Sequence, residues 1–474
     1  MQKTGDEYFD SEEFRELLNS YEESVSSGQP IFLDADELTD IADYYHFTCE
    51  LEKAEEVIEK ALDFYPGATA PLVYKVHEAL AREDVEEAKE LAEQITDKNA
   101  ADYFYLQAEL LIAQDKTEEA DQYLRDYYKT VPADEHEDFV TDAANIWLDY
   151  GVYDKAYEWV MRYPGNDSPD FKELTGRIMF GLGKYKESQR TFKELIDNDP
   201  YSGRYWNALA SAQFMSEEYG DSITSSEYAI AIDPTDGEAL LNKANGLYRL
   251  NNFEEALKYY LRYNEYMPSI DFTELQAGIC LLYLNRTGEA VKHLQKARQL
   301  TFDGSEYQVQ VYQELAFTYS ALGKVDEAMK CIDQTKDMDC DHDDMEVLRG
   351  HILLQNQCTD KAEDAFRRAV THSKNAPHIL LRIIVSLFDN KLNEAAYVMF
   401  GKFFSLVGDD YDEGYSYMAL CCWELNKKDE FLKFLKLAVE HNPGEARIVL
   451  NTLFPEGMNP KDYYQYMLDN CQAG

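Results

Sequence analysis

The densest group of candidate metal ligands in the sequence is the run Asp339-Cys-Asp-His-Asp-Asp344. Its carboxylates, imidazole and thiol are ligand types that hold divalent ions in proteins. The run lacks the glycine and the regularly spaced carboxylates of a calcium-binding EF-hand loop. It falls between two predicted helices, so an acidic turn that caps the second helix explains the same residues. We predict this cap and no metal site; ion binding by the loop stays open as the alternative.

The sequence contains no pattern of a familiar enzyme class. It has no G-x-x-x-x-G-K-S/T phosphate loop, no G-x-S-x-G nucleophile elbow and no H-E-x-x-H zinc motif. Its nine histidines are dispersed, and its eight cysteines show no paired C-x-x-C spacing. We therefore predict a non-enzymatic protein with no catalytic residue, no cofactor, no zinc site and no disulfide framework.

The charge of the chain restricts the partners that it can bind. It carries 91 acidic and 45 basic residues, a formal net charge of −46 at pH 7. Nucleic-acid phosphates and anionic lipid headgroups repel such a surface, so we predict no nucleic-acid and no membrane partner. The polar, acidic segment 1–14 has neither the basic start nor the apolar run of a secretory signal. These features together predict a cytoplasmic protein.

A repeat of about 34 residues organises most of the sequence. Pro200, Pro234 and Pro268 lie one unit apart, with Ala210 and Ala244 at matching places between them. A small residue late in each unit recurs as Ala54, Ala88, Ala120, Ala156, Ser188, Ser222, Ala256, Ala290, Ala328, Ala362 and Ala395, with Phe431 in the twelfth place. A small side chain at such a position lets two helices approach each other closely.

The turn before each small residue has a pattern of its own. An aromatic or aliphatic residue and then an acidic residue follow Gly151, Gly183, Asn252 and Gly323. Glycine and asparagine end helices in the left-handed conformation, and acidic residues favour the first turn of the next helix. Each unit is therefore predicted to contain a helix, a tight turn and a second helix.

A helix–turn–helix unit of this length, with an aromatic or leucine early and proline late, resembles the tetratricopeptide repeat. The resemblance implies an all-α fold, a right-handed superhelical solenoid of antiparallel helix pairs. We expect about twelve repeats in residues 35–443, a capping helix in residues 1–34 and further capping helices in residues 444–474. The repeats are expected to start near residues 35, 69, 101, 137, 169, 203, 237, 271, 309, 343, 376 and 412.

In proteins of this family the first helices line a concave groove, and the resemblance assigns this role to specific residues. The implied groove residues are Arg204, Asn207, Leu241, Asn245, Tyr248, Phe272, Leu275, Ile279, Leu282, Tyr283, Leu380, Ile384, Leu387 and Phe388. Most are apolar, and apolar clusters that face solvent usually mark an interaction surface. Burial of the same residues between helices is the alternative, and the sequence leaves both interpretations open.

The resemblance implies a scaffold or adaptor that binds a peptide or helix of another protein in the groove. Residues 1–66 carry 19 acidic and 4 basic side chains, which favours a basic partner. Self-association through the terminal repeats stays open. The alternative function is a sensor whose groove binds a small ligand or a signalling peptide.

Overall fold

The computed structural model describes residues 8–9, 11–267, 270–302, 304–374, 376–408, 411–455 and 457–471. The regular secondary structure of these residues is helical throughout, which confirms the predicted all-α class. The chain forms two compact units, unit 1 with residues 1–232 and unit 2 with residues 233–474. Pro268, one of the three prolines that place the repeat, lies outside the described residues.

The helices of unit 1 are α1 Glu12–Ser27, α2 Ala35–Phe47, α3 Leu51–Phe64, α4 Thr69–Ala81, α5 Val85–Glu93, α6 Ala101–Ile112, α7 Thr117–Tyr128, α8 His136–Asp149, α9 Tyr153–Val160, α10 Pro169–Gly181, α11 Tyr185–Asn198, α12 Gly203–Met215 and α13 Tyr219–Ile232.

The helices of unit 2 are α14 Gly237–Arg249, α15 Phe253–Tyr266, α16 Asp271–Tyr283, α17 Thr287–Leu300, α18 Gln308–Ala321, α19 Val325–Gln334, α20 His342–Gln355, α21 Thr359–His372, α22 Ala376–Asp389, α23 Asn393–Val407, α24 Tyr415–Glu424, α25 Lys428–His441, α26 Pro443–Leu450 and α27 Pro460–Cys471. Short 3₁₀ helices occupy Thr335–Asp337 and Asn451–Leu453. Among the described helices, none is long and apolar enough to span a bilayer.

From α2 to α25 the helices pack as consecutive pairs. We call the even-numbered member of each pair the first helix and the odd-numbered member the second helix. Hydrogen bonds at the helix ends support the pairs locally. At the start of α2, the Asp34 side chain accepts a hydrogen bond from the Glu37 backbone N–H, and the Glu37 side chain accepts one from the Asp34 N–H, both at 2.9 Å. This capping box satisfies two backbone donors that the helix itself leaves without acceptors.

The turn inside each pair contains one residue in the left-handed backbone conformation. Gly151, Gly183 and Gly323 have the predicted positive φ. The prediction for Asn252 is wrong, because Asn251 holds the positive φ and Asn252 is the cap of α15. Other residue types take this conformation in the remaining pairs, namely Cys49, Glu83, Asp115, Glu217, Asn285, Gln357, Lys391 and Asn426. The same tight turn therefore recurs even where the sequence supplies no glycine, at a cost in backbone free energy.

The small residue of the second helix lies where the two helices of a pair meet. The first ten members of the predicted series, from Ala54 to Ala362, are all at most 1% exposed. In the pair of α12 and α13, the Ser222 hydroxyl donates a hydrogen bond of 2.8 Å to the Ala210 carbonyl, so the two helices are in close contact. Ala395 is the wrong member of the series, since it is exposed and Ala396 is fully buried in its place.

Three first helices carry glycine where a large side chain of the second helix enters. These contacts join Gly176 to Phe192, Gly278 to Leu294 and Gly350 to Phe366. A Cβ on Gly350 would lie 2.3 Å from the Phe366 ring, well inside van der Waals distance. The absence of a side chain therefore makes the room that the ring occupies.

The first helices of neighbouring pairs also contact each other. In unit 1, α2 contacts α4, α4 contacts α6 and α10 contacts α12; in unit 2, α16, α18, α20 and α22 contact one another in sequence. Within the described residues from α2 to α25, consecutive second helices make no comparable contact. In each unit, the first helices of neighbouring pairs therefore lie closer together than the second helices do. We call the side of the first helices the inner face of that unit.

The corrected position in α23 can be tested with two neighbouring alanines. Ala396→Leu adds volume to a fully buried contact, and we expect it to lower the free energy of unfolding by about 1–3 kcal/mol. Ala395→Leu adds the same volume on an exposed side and should change stability by about 0.5 kcal/mol or less. Thermal midpoints from circular dichroism compare the two variants, and equal midpoints would contradict the corrected position.

Candidate partner-binding faces

The inner face of unit 1 carries carboxyl groups that act on one another. Burial raises the pKa of Asp43 to about 6, and the charge of Asp40 adds to the rise. Burial also raises the pKa of Asp102 and of Asp142, and Asp36 repels the charge of Asp102. Because Asp36 lies on α2 and Asp102 on α6, side chains two pairs apart face a common space. All three side chains are exposed, so water reaches them and they do not belong to the core.

Acidic neighbours already engage several cationic groups on this face. His77 Nε2 lies 2.8 Å from Glu109 Oε2, and this hydrogen bond raises the pKa of His77. Arg204 Nη2 lies 3.2 Å from Glu173 Oε2. The first helices α2 to α12 together contain 13 acidic residues against four lysines and arginines. The first helices of unit 1 therefore carry excess negative charge.

The inner face of unit 2 carries accessible aromatic side chains. Tyr283 is 59% exposed and Phe317 is 40% exposed, while Tyr248 is half-buried. The ring centroids of Tyr248 and Tyr283 are 6.4 Å apart. Phe317 contacts the His351 ring edge-on, with centroids 5.8 Å apart. These side chains come from α14, α16, α18 and α20, so the aromatic surface extends over four successive pairs.

One carboxyl group, that of Glu314, lies within this aromatic surface. Burial raises the pKa of Glu314. Burial also raises the pKa of Tyr248 to about 12, with smaller contributions from Tyr283, Cys280 and Glu314. The charge of Glu314 on α18 thus reaches Tyr248 on α14, two pairs earlier in the chain. Both side chains therefore lie toward the same inner side of unit 2.

The predicted groove residues differ in their exposure to solvent. Five are buried, namely Asn207, Leu275, Ile279, Ile384 and Phe388. Seven are half-buried, namely Leu241, Asn245, Tyr248, Phe272, Leu282, Leu380 and Leu387. Arg204 and Tyr283 are exposed. Arg204 and Asn207 belong to unit 1 and the others to unit 2, so the accessible members of the set lie mainly in unit 2.

The buried members of this set serve the packing of their own unit. Leu275 and Ile279 belong to the hydrophobic core that α16, α17, α18, α19 and α20 share. Ile384 and Phe388 belong to the core at the C-terminal end of unit 2. These side chains are at most 8% exposed, so they can make little contact with a partner unless the helices move. The role of these residues as groove contacts stays a prediction.

Sequence reasoning missed Glu314, Phe317 and His351 as inner-face residues. Phe317 and His351 occupy the ninth place of the repeats expected to start near residues 309 and 343. The predicted groove residues Asn245 and Ile279 hold the same ninth place in their repeats, so the family pattern contained the signal for both. Glu314 is the only charged residue of α18, but the sequence does not indicate that Tyr248, on α14, lies within range of its charge.

The acidic run at residues 339–344 forms the predicted helix cap. Asp341 accepts hydrogen bonds from the backbone N–H groups of Asp343 and Asp344, at 2.9 Å and 3.1 Å, at the start of α20. Asp344 also pairs with Arg382 at 3.2 Å. In the part of the chain that the structure describes, no group of three or more histidine, cysteine or carboxylate side chains is arranged to hold a metal ion.

The cysteine side chains at the described positions 49, 280, 331, 340, 358, 421 and 422 are free thiols. Burial raises the pKa of Cys280 and of Cys422 to about 12, and that of Cys421 to about 11. Such thiols stay protonated at neutral pH, and the thiolate is the nucleophilic form. These three residues therefore pack as small apolar side chains.

Family models match three stretches of the chain. A tetratricopeptide repeat model matches residues 75–135 and 174–237, and a second tetratricopeptide repeat model matches residues 309–339. The matched stretches coincide with helix pairs in the structure, including α6 with α7 and α18 with α19. Among curated proteins, no sequence matches this chain.

Solved structures of repeat proteins resemble parts of the chain. YrrB, described as a TPR protein with an unusual peptide-binding site, is 16% identical; the match covers 42% of this chain and 97% of YrrB, with a TM-score of 0.36. A crystal structure of MamA is 15% identical over 42% of this chain and 97% of MamA, with a TM-score of 0.31. MamA from Desulfovibrio magneticus RS-1 is 15% identical over 37% and 99%, with a TM-score of 0.34.

The raised pKa of Asp43 predicts a dependence of stability on pH. Its folded-state pKa of about 6 lies above the value of about 3.9 for an unfolded chain, so the folded state binds more protons between these values. The carboxylate thus opposes folding above pH 6, and this effect disappears as the pH falls through that window. We expect Asp43→Asn to raise the thermal midpoint at pH 7.5 and to give no such gain at pH 4.

A matched variant separates the position of Asp43 from the net charge of the chain. Asp63 is an exposed aspartate on the second helix α3, and Asp63→Asn removes the same charge. Circular dichroism melting at pH 7.5 and pH 4 measures both variants. An equal gain from Asp63→Asn at pH 7.5, or no gain from Asp43→Asn, would contradict the interpretation.

Proposed function

Because the chain is a tetratricopeptide-repeat protein, we propose that it is a non-enzymatic scaffold for other proteins. A peptide or a helix of a partner protein binds against the inner face of unit 2. The accessible residues of that face, among them Tyr248, Leu282 and Tyr283, make the contacts. Catalysis has no part in this proposal, since the acidic run at residues 339–344 caps a helix and the buried thiols stay protonated.

The exposed rings on the inner face of unit 2 are the observation that carries the proposal. Tyr283 and Phe317 keep 59% and 40% of their surface in water, whereas the other large apolar side chains of their helices are buried or half-buried. Contact with a partner removes this apolar surface from water at about 25 cal/mol per Å². Tyrosine and phenylalanine are also enriched in protein interfaces, where they make large contacts at low entropic cost.

The charge of unit 1 favours a basic partner. Thirteen acidic residues stand on its first helices against four lysines and arginines. Such a surface attracts cationic segments over distances near the Debye length of about 8 Å at physiological salt, and it accelerates their association. Added salt should therefore slow association more than it speeds dissociation.

The proposed compartment is the cytoplasm. Seven described cysteines are free thiols, and Cys49 among them is exposed. Disulfides form and persist in oxidising compartments, whereas cytoplasmic thiols stay reduced. Free thiols on a chain with eight cysteines agree with the reducing compartment.

Site-specific photo-crosslinking tests the proposed binding face. A benzophenone side chain in place of Tyr283 puts the reactive group on the inner face of unit 2. We expect discrete crosslinked products when this protein is irradiated in lysate of its source cells, because the partner covers position 283. Gel shifts and mass spectrometry identify the products.

The control position is Tyr266 on the second helix α15, whose side chain is 44% exposed in the same unit. The same benzophenone group at this position is accessible but lies outside the inner face. We expect it to give none of the products formed from position 283. Equal products from both positions, or none from position 283, would count against the proposal.

A further inference from the structure

Glu314 is a carboxyl group that lacks a cationic neighbour. It is the only charged residue of α18, and burial raises its pKa. Within the described residues, no lysine, arginine or histidine forms an ion pair with it. A carboxylate that is partly removed from water without a cation raises the free energy of the unbound protein.

Three first helices carry accessible or half-buried aromatic side chains on the inner side where Glu314 lies. Phe317 follows Glu314 by three residues on α18, so both lie on one side of the helix. Tyr248 on α14 lies within range of the charge of Glu314, and Tyr283 on α16 lies beside Tyr248 with ring centroids 6.4 Å apart. The Tyr283 ring stacks on Phe253 at 4.2 Å, which fixes its orientation.

The nearest histidine on the next first helix does not supply the missing charge. His351 contacts Phe317, and its Nδ1 lies 3.0 Å from the Ser386 hydroxyl. Burial lowers the pKa of His351, so its ring is neutral at physiological pH. Since no basic side chain of the described residues forms an ion pair with Glu314, a bound partner can supply the missing cation.

We propose that an arginine of the bound partner segment places its guanidinium group against Glu314 and the rings of Tyr248, Tyr283 and Phe317. This inference rests on the proposed function and adds the chemistry of one contact to it. Carboxylates bind guanidinium groups through two parallel hydrogen bonds, and aromatic rings attract the same cation through their π-electrons. Both attractions strengthen where water is largely excluded.

Arginine fits this surface better than lysine does. Its planar guanidinium group stacks on aromatic rings and is more weakly hydrated than an ammonium group. The exposed areas of Tyr283 and Phe317 can cover the flat faces of the guanidinium group while Glu314 accepts its N–H groups. The expected partner segment is therefore a peptide with one arginine between apolar residues, which contact the half-buried Leu282 and Leu387.

Selection from a random peptide library displayed on phage tests this inference with the full-length protein. Salt at about 0.3 M shortens the Debye length to about 6 Å, which suppresses non-specific binding of basic peptides to the acidic chain. We expect selected peptides to share an arginine flanked by apolar residues. In the synthetic peptides, citrulline in place of that arginine keeps the shape and removes the charge. It should weaken binding to the wild type about tenfold or more.

Two matched variants locate the contact. With Glu314→Gln, the arginine peptide should bind no better than its citrulline form, whereas Glu327→Gln, on an exposed site of α19, should leave the preference unchanged. Thermal midpoints of both variants confirm that they are folded. The comparison of arginine and citrulline peptides uses the wild-type protein, so it does not depend on the folding of any variant.

Three results would overturn the inference. They are a selection without arginine-dependent peptides, an arginine preference that survives Glu314→Gln, and lysine peptides that bind equally well. If the crosslink from position 283 forms and arginine has no effect, the proposed function stands and the inference fails. If neither the crosslink nor any peptide binding is found, both fail.

Discussion

The close crossing of the two helices in each pair is the contact on which the rest of the structure depends. At Ser222 the crossing brings a side-chain hydroxyl within 2.8 Å of the Ala210 carbonyl on the other helix. A small residue occupies this place in eleven of the twelve pairs, with Phe431 in the twelfth, and close contact there limits the rotation of the second helix about its own axis. The first helix consequently presents one side to its partner and another to the inner face. The contact between the two helices of a pair therefore positions the side chains of the inner face, although those side chains contribute little to that contact.

The two units use this geometry for surfaces of different character. On unit 1, carboxyl groups such as Asp43 and Asp40 repel each other on the inner face, which costs stability when they are ionised. On unit 2, exposed rings such as those of Tyr283 and Phe317 add accessible aromatic surface to this face. The buried contacts inside the pairs are alike in both units. Selectivity for a partner can therefore change on the inner face without a change in the fold.

The all-α class and most of the packing positions follow from the sequence because they depend on local spacing. The choice of Ala395 was wrong since two consecutive alanines satisfy that spacing equally, and only contact with the first helix distinguishes them. Accessibility is harder to predict, because Leu275 is fully buried while Tyr283 on the same helix is exposed. The environment of Glu314 depends on residues up to 66 positions away. The right-handed superhelix and the exact repeat boundaries stay predictions.

The glycine contacts have a consequence for how an array of this kind can grow. In each of three pairs the glycine and the large side chain that it accommodates lie sixteen residues apart, as with Gly350 and Phe366. Both partners belong to one helix pair, so a gene segment that encodes a whole pair carries the matched set with it. Duplication or deletion of such a segment keeps each large side chain together with the glycine that makes room for it. A break inside a pair separates the two partners and creates either a clash or a cavity.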